Sequence, residues 1–392
     1  MTVRPNEPVV IDAVRSAMTL CGDGGFRNLD AQQLSASVID GLLARNPGVD
    51  LDGVDELIWG CEDTTCVQEG NLARWALLLS RLPHSVPAQT VNRLGASSMT
   101  AVHLAAQAVL AGSGECYIAG GVEHSGGVMP PMASGAPRLA RITATAALSR
   151  DKVGELLAHT HAIDRRMQDE YALRSHRLAQ RAVVDGTFEQ QLVTVPGLDP
   201  HGYLRPLKVD ELIVPDLSLD RLAGYEPSVR RSGGSVTEAN TAAAADGASA
   251  LLIMSAGRAS ALGLKPRARI RAVAVTACDP AVGALAAVTA LEKLLDQSSL
   301  TLTDIDLFDI HEEGAAQTLA ILKELELLDR LDDSVNLNGG AIALGDPSGC
   351  SGARICTTLL HLMAAREAAL GAAVITAGLG QGVATLFERL DR

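Results

Sequence analysis

Four titratable side chains in the C-terminal half of the chain are the first candidates for chemistry. His311, Glu312 and Glu313 are consecutive, and Asp346 lies further along the sequence. A carboxylate beside a histidine orients the imidazole and raises its basicity, so His311 paired with Asp346 could activate a water molecule or remove a proton. The same four residues could in principle hold a metal ion. Three consecutive side chains rarely converge on one point, however, and we predict no metal site.

Cysteines are the other candidate nucleophiles. The seven cysteines have irregular spacings, and they are Cys21, Cys61, Cys66, Cys116, Cys278, Cys350 and Cys356. An odd count without regular spacing does not indicate a disulfide framework and favours a reducing, cytoplasmic environment. Cys350 lies at a predicted helix start, where the helix dipole favours a thiolate. The competing interpretation of Cys350 is that it packs in the core. Cys21 is interpreted as an exposed, unreactive thiol.

Two glycine-rich strand-to-helix turns could position these residues. Residues 91–97 lead into one helix and then into a strand at Cys116–Gly120. Residues 335–349 lead into a helix at Ser351–Ala364 and then into a strand at Ala373–Thr376. Two copies of one βα unit predict duplicated halves. Their turns would aim backbone N–H groups at a shared centre, which suits an anion or an oxyanion.

The remaining chain alternates between strand-like and helix-like segments, which predicts βαβ units and a parallel sheet. We predict strands at 8–14, 56–59, 89–92 and 247–254, and helices at 31–45, 71–79 and 96–111. The middle of the chain differs, because it is rich in Arg, His, Pro and Gly around one amphipathic helix at 164–184. The predicted units are an N-terminal half at 1–122 and 247–265, an inserted domain at 123–246, and a C-terminal half at 266–392.

Composition limits the classes of function. The 392 residues suit two domains, and 47% hydrophobic residues with 3% aromatics predict an aliphatic core. A formal net charge of −13 argues against nucleic acid and anionic membranes as general partners. The N-terminus lacks the apolar stretch of a signal peptide, and we expect no membrane span because no long apolar run is evident.

Several segments resemble the motifs of thiolases, and the resemblance extends over nearly the whole chain. The quoted stretches are Pro83-His84-Ser85-Val86-Pro87-Ala88, Gly120-Gly121-Val122-Glu123-His124, Arg166-Met167-Gln168-Asp169, Asn336-Leu337-Asn338-Gly339-Gly340-Ala341-Ile342-Ala343-Leu344-Gly345 and Gly378-Leu379-Gly380-Gln381-Gly382. They are most similar to the bacterial 3-ketoacyl-CoA thiolases of fatty-acid β-oxidation, which are acetyl-CoA acyltransferases.

This resemblance implies an α/β thiolase fold, with two pseudo-symmetric halves in a five-layer α/β/α/β/α arrangement and an inserted domain that covers coenzyme A. It further implies acyl-CoA or a related carbonyl compound as ligand, and no cofactor apart from the CoA of that ligand. A homodimer or homotetramer and a β-oxidation-type partner protein are also expected.

The sequence departs from each of the family's four chemical motifs. Gly95 stands at the position of the nucleophilic cysteine, and a glycine has no group that can attack a carbonyl. His311-Glu312-Glu313-Gly314 replaces Asn-Glu-Ala-Phe. Asp346 replaces the histidine of Gly-His-Pro, and Thr376 replaces the cysteine that acts as acid and base at the α-carbon. We therefore regard the original roles at Gly95, Asp346 and Thr376 as lost.

Other family positions imply ligand contacts. The backbone N–H groups of Gly95 and Gly378 match those of the family's second oxyanion hole. His161, Asn240 and Ala242 match positions near the substrate and its pantetheine arm. An arginine cluster, Arg138, Arg141 and Arg150, and the pair Arg230-Arg231 could contact CoA phosphates or lie on a solvated face.

Three functions follow as alternatives. The first is non-covalent chemistry on an acyl-CoA-like carbonyl compound by His311 and Asp346, assisted by Glu312 and Glu313. That chemistry would be hydrolysis of a C–C bond or thioester, decarboxylation or a retro-aldol step, and ordinary thiolase activity would be absent. The second is a catalytically inactive structural or regulatory subunit. The third is ordinary acyl transfer through a substitute nucleophile such as Cys350 or Ser97.

Overall fold

The structure is a computed structural model that describes residues 4–64, 68, 70–124, 149–230 and 232–390. Its strands are β1 (Pro8–Arg15), β2 (Thr19–Leu20), β3 (Glu56–Gly60), β4 (Ala88–Val91), β5 (Cys116–Glu123), β6 (Val195–Leu198), β7 (Leu204–Leu207), β8 (Ala245–Ser255), β9 (Ala268–Ala277), β10 (Leu307–Ile310), β11 (Leu370–Ala377) and β12 (Gln381–Arg389).

The α-helices of the described residues follow the same chain order. They are α1 (Ala31–Arg45), α2 (Leu72–Leu79), α3 (Ser97–Ala111), α4 (Arg150–Thr160), α5 (Arg165–Val184), α6 (Leu219–Ala223), α7 (Ala256–Ala261), α8 (Ala286–Ser298), α9 (Ala315–Glu324), α10 (Leu331–Ser334), α11 (Ala341–Leu344) and α12 (Ser348–Ala365).

One mixed sheet runs through both halves of the chain in the order β10-β11-β12-β9-β1-β8-β5-β3-β4, with β2 paired to β8. Pairing is parallel between β3 and β4, between β3 and β5, and between β10 and β11. The pairs near the middle, including β1 with β8 and β1 with β9, are antiparallel. The predicted parallel sheet is therefore wrong for the centre. β1 runs opposite to both of its neighbours, β8 and β9, and the short β11–β12 connection does not return the chain to the starting edge, so those two strands are antiparallel.

The N-terminal strands and the C-terminal strands of this sheet form two half-sheets. One layer of helices lies between the half-sheets, and one further layer covers the outer face of each. Helices α3 and α12 contact each other and share one apolar core with strands of both halves. Helices α1 and α2 cover the outer face of the N-terminal half, and α8 and α9 cover that of the C-terminal half. This is the five-layer arrangement that the resemblance implies, and it puts the starts of α3 and α12 between the two half-sheets.

Local sequence explains where the main helices begin. Asp30 and Gln33 form a reciprocal capping box at the start of α1, which satisfies two backbone N–H groups that would otherwise lack partners. Asp164 caps α5 by accepting a hydrogen bond from the N–H of Met167. Helix α3 has no side-chain cap. Its start is fixed instead by packing against the sheet, and the preceding turn remains available for other contacts.

Among the described residues, one stretch, Leu94–Ala111, is long and apolar enough to cross a membrane by composition, with a mean hydropathy of 1.3 over 18 residues. The sequence reading found no such stretch. The segment includes α3, whose side chains are mostly buried between the two half-sheets. Burial of most of the segment explains its apolar composition.

A buried ion pair ties β1 to the segment that follows β7. The guanidinium of Arg15 donates to both carboxylate oxygens of Asp210 over 2.7 and 2.9 Å, and both side chains are fully buried. Arg15 also donates to Gln191 over 2.9 Å and lies 4.8 Å above the ring of Phe188. Each charge is therefore compensated, which is the condition under which an ion pair is tolerated in a core.

We expect Asp210→Asn to lower the free energy of unfolding by about 3–5 kcal/mol, because it leaves the Arg15 charge buried without a counter-ion. Urea denaturation followed by circular dichroism measures the change. The matched control is Glu170→Gln, which breaks an exposed ion pair with Arg166 and should leave the denaturation curve unchanged. Equal curves for Asp210→Asn and wild type would contradict this account of the core.

Candidate functional site

A cleft of about 550 Å³ opens where the strand ends of the two halves face each other. Glu62 follows β3 and Gly95 follows β4, while His311 follows β10 and Gly378 follows β11. The carboxyl ends of parallel strands are the usual place for ligands in α/β sheets. The residues that line the cleft are Glu62, Gly95, Ser149, Arg150, Asp151, His311, Glu313, Asp346, Ser348, Thr376, Ala377 and Gly378.

His311 and Asp346 form a hydrogen-bonded pair at this cleft. Nε2 of His311 lies 3.1 Å from a carboxylate oxygen of Asp346, and that same oxygen accepts a hydrogen bond of 2.6 Å from Ser351. Because a carboxylate can only accept, Nε2 must carry the proton in this contact. In a neutral imidazole the lone pair then resides on Nδ1, which has no hydrogen-bond partner among the described residues.

Asp346 is held in its ionised form. Burial by itself opposes ionisation, but the adjacent imidazole of His311 and the hydrogen bonds from His311 and Ser351 hold the pKa of Asp346 well below its usual range. Asp346 is therefore a carboxylate at every physiological pH. It can orient His311, and it cannot donate a hydrogen bond to an oxyanion.

Glu313 and Thr376 also line the cleft, and their side chains are hydrogen-bonded to each other. Burial raises the pKa of Glu313 and the charge of Asp346 adds to the rise, while the neighbouring His311 and Arg150 side chains and the hydroxyl of Thr376 act against it. The Thr376 side chain thus serves as a hydrogen-bond donor to a carboxyl group. A hydroxyl in this role does not supply the acid–base function of a thiol.

Glu312 is turned away from the cleft, although its neighbours on both sides line it. Its carboxylate is fully buried and accepts hydrogen bonds from the side chains of Tyr171, Ser175 and Asn336 and from the backbone N–H of Ile342. All its acceptor positions are engaged in joining α5 to the loop after β10 and to α11. The structure therefore gives Glu312 a scaffolding position and does not bring it to the site that we predicted for it.

Gly95 leaves an open space at the centre of the cleft. A Cβ atom built on Gly95 would have its nearest neighbours at 3.7 Å, the backbone oxygen of Thr376, and at 3.8 Å, Oε2 of Glu62. No backbone or core side chain occupies that space. A small side chain would fit there without displacing its surroundings, and so would part of a ligand.

Glu62 is a cleft residue that sequence reasoning missed. Its signal was present, because an acidic residue two positions beyond a buried strand lies at the carboxyl edge of a parallel sheet. Burial, together with the charges of Asp346, Glu313 and Asp63, raises the pKa of Glu62 to about 7, and a hydrogen bond with Ser348 partly offsets this. Glu62 therefore exchanges a proton near neutral pH.

The three residues that we predicted to contact substrate lie outside the cleft lining. His161 ends α4, where its ring contacts Glu324 and the backbone oxygen of Leu157 at 3.0 Å each. Asn240 is buried and donates to Asp169, and Ala242 is buried beside the backbone of Glu313. Their part in holding a longer ligand stays a prediction.

The candidate substitute nucleophiles are buried away from this cavity. Ser97 donates to the backbone oxygen of Leu94 over 2.5 Å and accepts from the N–H of Arg93, so its hydroxyl closes the turn before α3. Cys350 is fully buried, and burial raises the pKa of its thiol. Cys116 is buried at the start of β5, and burial beside Asp55 raises its pKa to about 12. None of these three groups lines the cleft.

The arginine cluster is only partly described. Arg150 lines the cleft, whereas Arg138, Arg141 and Arg231 lie outside the described residues, as does Cys66. Arg230 is described, but it does not line the cleft. In the part of the chain that the structure describes, no group of three or more His, Cys, Asp or Glu side chains is arranged to hold a metal ion.

Comparison with known proteins identifies the family. The family model "Thiolase, N-terminal domain" matches residues 8–257, and "Thiolase, C-terminal domain" matches residues 264–389. A 3-ketoacyl-CoA thiolase of Marinomonas sp. (strain MWYL1) is 46% identical over 391 residues, covering 100% of both chains. A 3-ketoacyl-CoA thiolase of Yersinia pestis is 48% identical over 385 residues, covering 97% of this chain and 99% of its own.

A solved structure shows the same architecture. The crystal structure of the Bacillus anthracis acetyl-CoA acetyltransferase superposes with a TM-score of 0.89 at 33% identity, covering 98% of this chain and 99% of that chain. This agreement confirms the predicted α/β thiolase fold. The five-layer arrangement and the internal duplication read from the two glycine-rich turns are parts of that fold.

The comparisons contradict the predictions made about activity. We expected ordinary thiolase activity to be absent, and non-covalent chemistry by a chain without its nucleophile to replace it. Full-length relatives at 44–48% identity are 3-ketoacyl-CoA thiolases, so both expectations are wrong, and the inactive-subunit alternative gains no support. By its two family-model matches and its full-length relatives, the chain belongs to the thiolase family and groups with the bacterial 3-ketoacyl-CoA thiolases.

Proposed function

We propose that this protein is a 3-ketoacyl-CoA thiolase, which transfers the acyl group of a 3-ketoacyl-CoA to the thiol of coenzyme A and releases acetyl-CoA. The full-length similarity to thiolases of that name is the observation that carries the proposal. The cleft is consistent with it. It lies at the meeting point of the two halves, is partly open to solvent, and has the size expected for the reacting end of a thioester.

His311 and Asp346 are the residues that we assign to proton transfer from the thiol. The Asp346 carboxylate fixes the ring of His311 through Nε2, which leaves Nδ1, a buried atom without a partner among the described residues, as the ring's free acceptor. A positioned imidazole is a suitable general base for a thiol nucleophile. Glu313 contributes negative charge beside the pair, and the backbones of Gly95 and Gly378 are the candidates for binding the thioester oxygen.

Arg150 is a candidate for recognising the ligand. It lies at the rim of the cleft with Ser149 and Asp151, and it supplies positive charge near Asp346 and Glu313. Its guanidinium is partly exposed and lies 3.7 Å from Asp151, and a cation among the carboxylates of the cleft favours an anionic ligand at that end. The phosphates of coenzyme A have that charge, and no cofactor apart from CoA is needed for the reaction.

The assembly and location of the protein also remain proposals. By analogy with thiolase relatives we propose a homodimer or homotetramer that is located in the cytoplasm and acts with a β-oxidation-type partner protein. The described surface includes large exposed apolar side chains on α2, namely Trp75, Leu78 and Leu79. Such a patch is consistent with self-association.

A bulky side chain at Gly95 should abolish turnover without unfolding the protein. Gly95→Val places two methyl groups in the open space beside Glu62 and Thr376, where the thioester must fit. We expect acetyl-CoA formation from 3-ketoacyl-CoA and CoA, measured by liquid chromatography and mass spectrometry, to fall at least about 100-fold, since displacement of the reacting atoms is costly.

The matched control for this substitution is Gly48→Val on the exposed surface, where a Cβ atom would meet only Leu264 at 3.6 Å. It should retain the wild-type rate. Acetyl-CoA formation by Gly95→Val at the wild-type rate would show that the reaction does not occur in this cleft. Absence of turnover by the wild-type protein across short and long 3-ketoacyl-CoA substrates would refute the proposed function.

Loss of the Asp346 charge should lower kcat throughout the pH range from about 5 to 9. The pKa of Asp346 lies well below this window, so the carboxylate is ionised throughout and its effect does not titrate. We expect Asp346→Asn to reduce kcat about 10–100-fold, as for partners that orient a functional imidazole.

Ser351→Ala is the matched control for Asp346→Asn, because it removes one hydrogen bond to Asp346 and keeps the contact with His311. Its effect on kcat should be several-fold smaller. A rate for Asp346→Asn that equals that of wild type at all pH values would show that the pair has no part in turnover.

A further inference from the structure

The space left by the missing side chain at Gly95 is faced by one carboxyl group. Oε2 of Glu62 lies 3.8 Å from the position of a Cβ atom on Gly95, and the backbone oxygen of Thr376 lies 3.7 Å from the same position. Both Glu62 and Gly95 line the cleft. Any ligand atom that enters this space is therefore brought to the Glu62 carboxyl group.

The backbone around Glu62 is fixed from several directions. Its N–H donates over 2.9 Å to the buried carboxyl group of Glu123, which also accepts from the N–H of Gly349 at the start of α12. The carbonyl oxygen of Glu62 accepts from Asn92 over 2.6 Å. The side chain itself is hydrogen-bonded to Ser348. Glu62 is thus attached to both halves of the molecule, and its position does not depend on one flexible loop.

The charges that face Glu62 come from each element around the cleft. They belong to Asp63 on its own loop, Glu123 at the end of β5, Glu313 after β10, and Asp346 before α12. His311 and Arg150 are the cationic or potentially cationic groups of the same cavity. The carboxylates disfavour a further negative charge, so burial and repulsion together give Glu62 a pKa of about 7.

The proposed reaction requires a proton at one particular carbon. Cleavage of the bond between C2 and C3 of a 3-ketoacyl-CoA leaves the electron pair on C2 as the enolate of acetyl-CoA. That carbon must be protonated before acetyl-CoA is released. The hydroxyl of Thr376 is already hydrogen-bonded to Glu313 and is too weak an acid for this task near neutral pH.

We propose that Glu62 is the catalytic acid and base at C2, because its carboxyl group borders the open space at Gly95 where the reacting carbons must lie. This assignment rests on the proposed thiolase function. The protonated carboxyl group donates to C2 of the enolate, and the carboxylate removes the same proton in the reverse direction.

The proton balance closes with groups that the cleft contains. The thiol of coenzyme A gives its proton to His311, and its sulfur ends bonded to the acyl carbon C3. Glu62 gives one proton to C2, which completes the methyl group of acetyl-CoA. Transfer of the proton from His311 to Glu62, directly or through water, restores both residues. No oxidant, reductant or further reactant is required.

Exchange of the methyl protons of acetyl-CoA with solvent deuterium tests this role directly. Purified full-length wild-type protein and Glu62→Gln are incubated with acetyl-CoA in D2O, and deuterium incorporation is followed by mass spectrometry beside the rate of thiolysis. We expect Glu62→Gln to exchange at least about 100-fold more slowly and to lose a similar factor in kcat, with KM changed less than threefold. Glu62→Asp should recover part of both rates.

The pH profiles provide a second signature, which a merely structural role would not produce. Exchange needs the carboxylate, so its rate should rise as the pH increases through about 7. Cleavage needs the carboxyl group, so its Glu62-dependent component should fall over the same range. Neither the rise in the exchange rate nor the fall in the cleavage rate should be seen in Glu62→Gln. The control Glu56→Gln makes the same substitution at the opposite end of β3 and should match wild type.

The possible failures are distinguishable. If the wild-type protein cleaves 3-ketoacyl-CoA and Glu62→Gln exchanges and cleaves at the wild-type rate, the assignment of Glu62 is wrong. The proposed function is then unaffected. Wild-type protein that neither cleaves nor exchanges overturns both. Thermal melting curves of each variant exclude unfolding as the cause of a lost rate, and Glu62→Asp carries the test if Glu62→Gln is unstable.

Discussion

The close approach of α3 and α12 between the two half-sheets is the constraint on which the cleft depends. The backbones approach so closely that several positions have no room for a side chain. A Cβ atom on Gly121 would lie 2.6 Å from the backbone oxygen of Gly60 and 2.8 Å from that of Gly349. On Gly352 it would lie 2.6 Å from Cβ of Met99. Larger residues would force the two halves apart and separate the two walls of the cleft.

Polar contacts then fix the relative positions that this packing allows. The hydroxyl of Ser98 on α3 accepts a hydrogen bond from the N–H of Ala353 on α12. The Glu123 carboxyl group joins the loop after β3 to the start of α12, and the Glu312 carboxylate joins α5 to the loop after β10. These buried acids are structural, whereas Asp346, Glu313 and Glu62 face the cavity. Acidic side chains thus have two roles in this chain. Those that are buried with all their hydrogen bonds satisfied hold elements together, and those that face the cavity are available to a ligand.

Much of the fold could be predicted from the sequence because its periodic segments are long. The predicted helices at 31–45 and 164–184 agree with α1 and α5 to within one residue, and the turns at Gly95 and Gly345 do mark the same unit in each half. The antiparallel pairing in the centre of the sheet was not predicted. The alternation of strands and helices indicates parallel pairing at the two ends of the sheet and carries no information on the direction of the central strands. No helix separates β11 from β12, and only the short α7 separates β8 from β9, so the helix pattern did not reveal the order of these strands.

The site was less predictable than the fold. The contact between His311 and Asp346 followed from the family motifs, but the direction of Glu312 did not, because consecutive residues after a strand point to opposite sides. Glu62 escaped notice because its significance depends on a glycine that is distant in sequence and adjacent only after folding. The prediction of absent thiolase activity failed for another reason. It took the loss of the family's side chains at Gly95, Asp346 and Thr376 as loss of the reaction, whereas the full-length relatives are 3-ketoacyl-CoA thiolases.

The fate of isotopic label in a single reaction tests the central claim most directly. A 3-ketoacyl-CoA labelled with carbon-13 at C1 and C2 is incubated with unlabelled coenzyme A and the wild-type protein, and all CoA species are separated by mass. The account predicts that both labelled carbons appear together in acetyl-CoA, with an equal amount of unlabelled acyl-CoA shortened by two carbons. Labelled 3-keto acid with free coenzyme A, or substrate that remains intact, would contradict it.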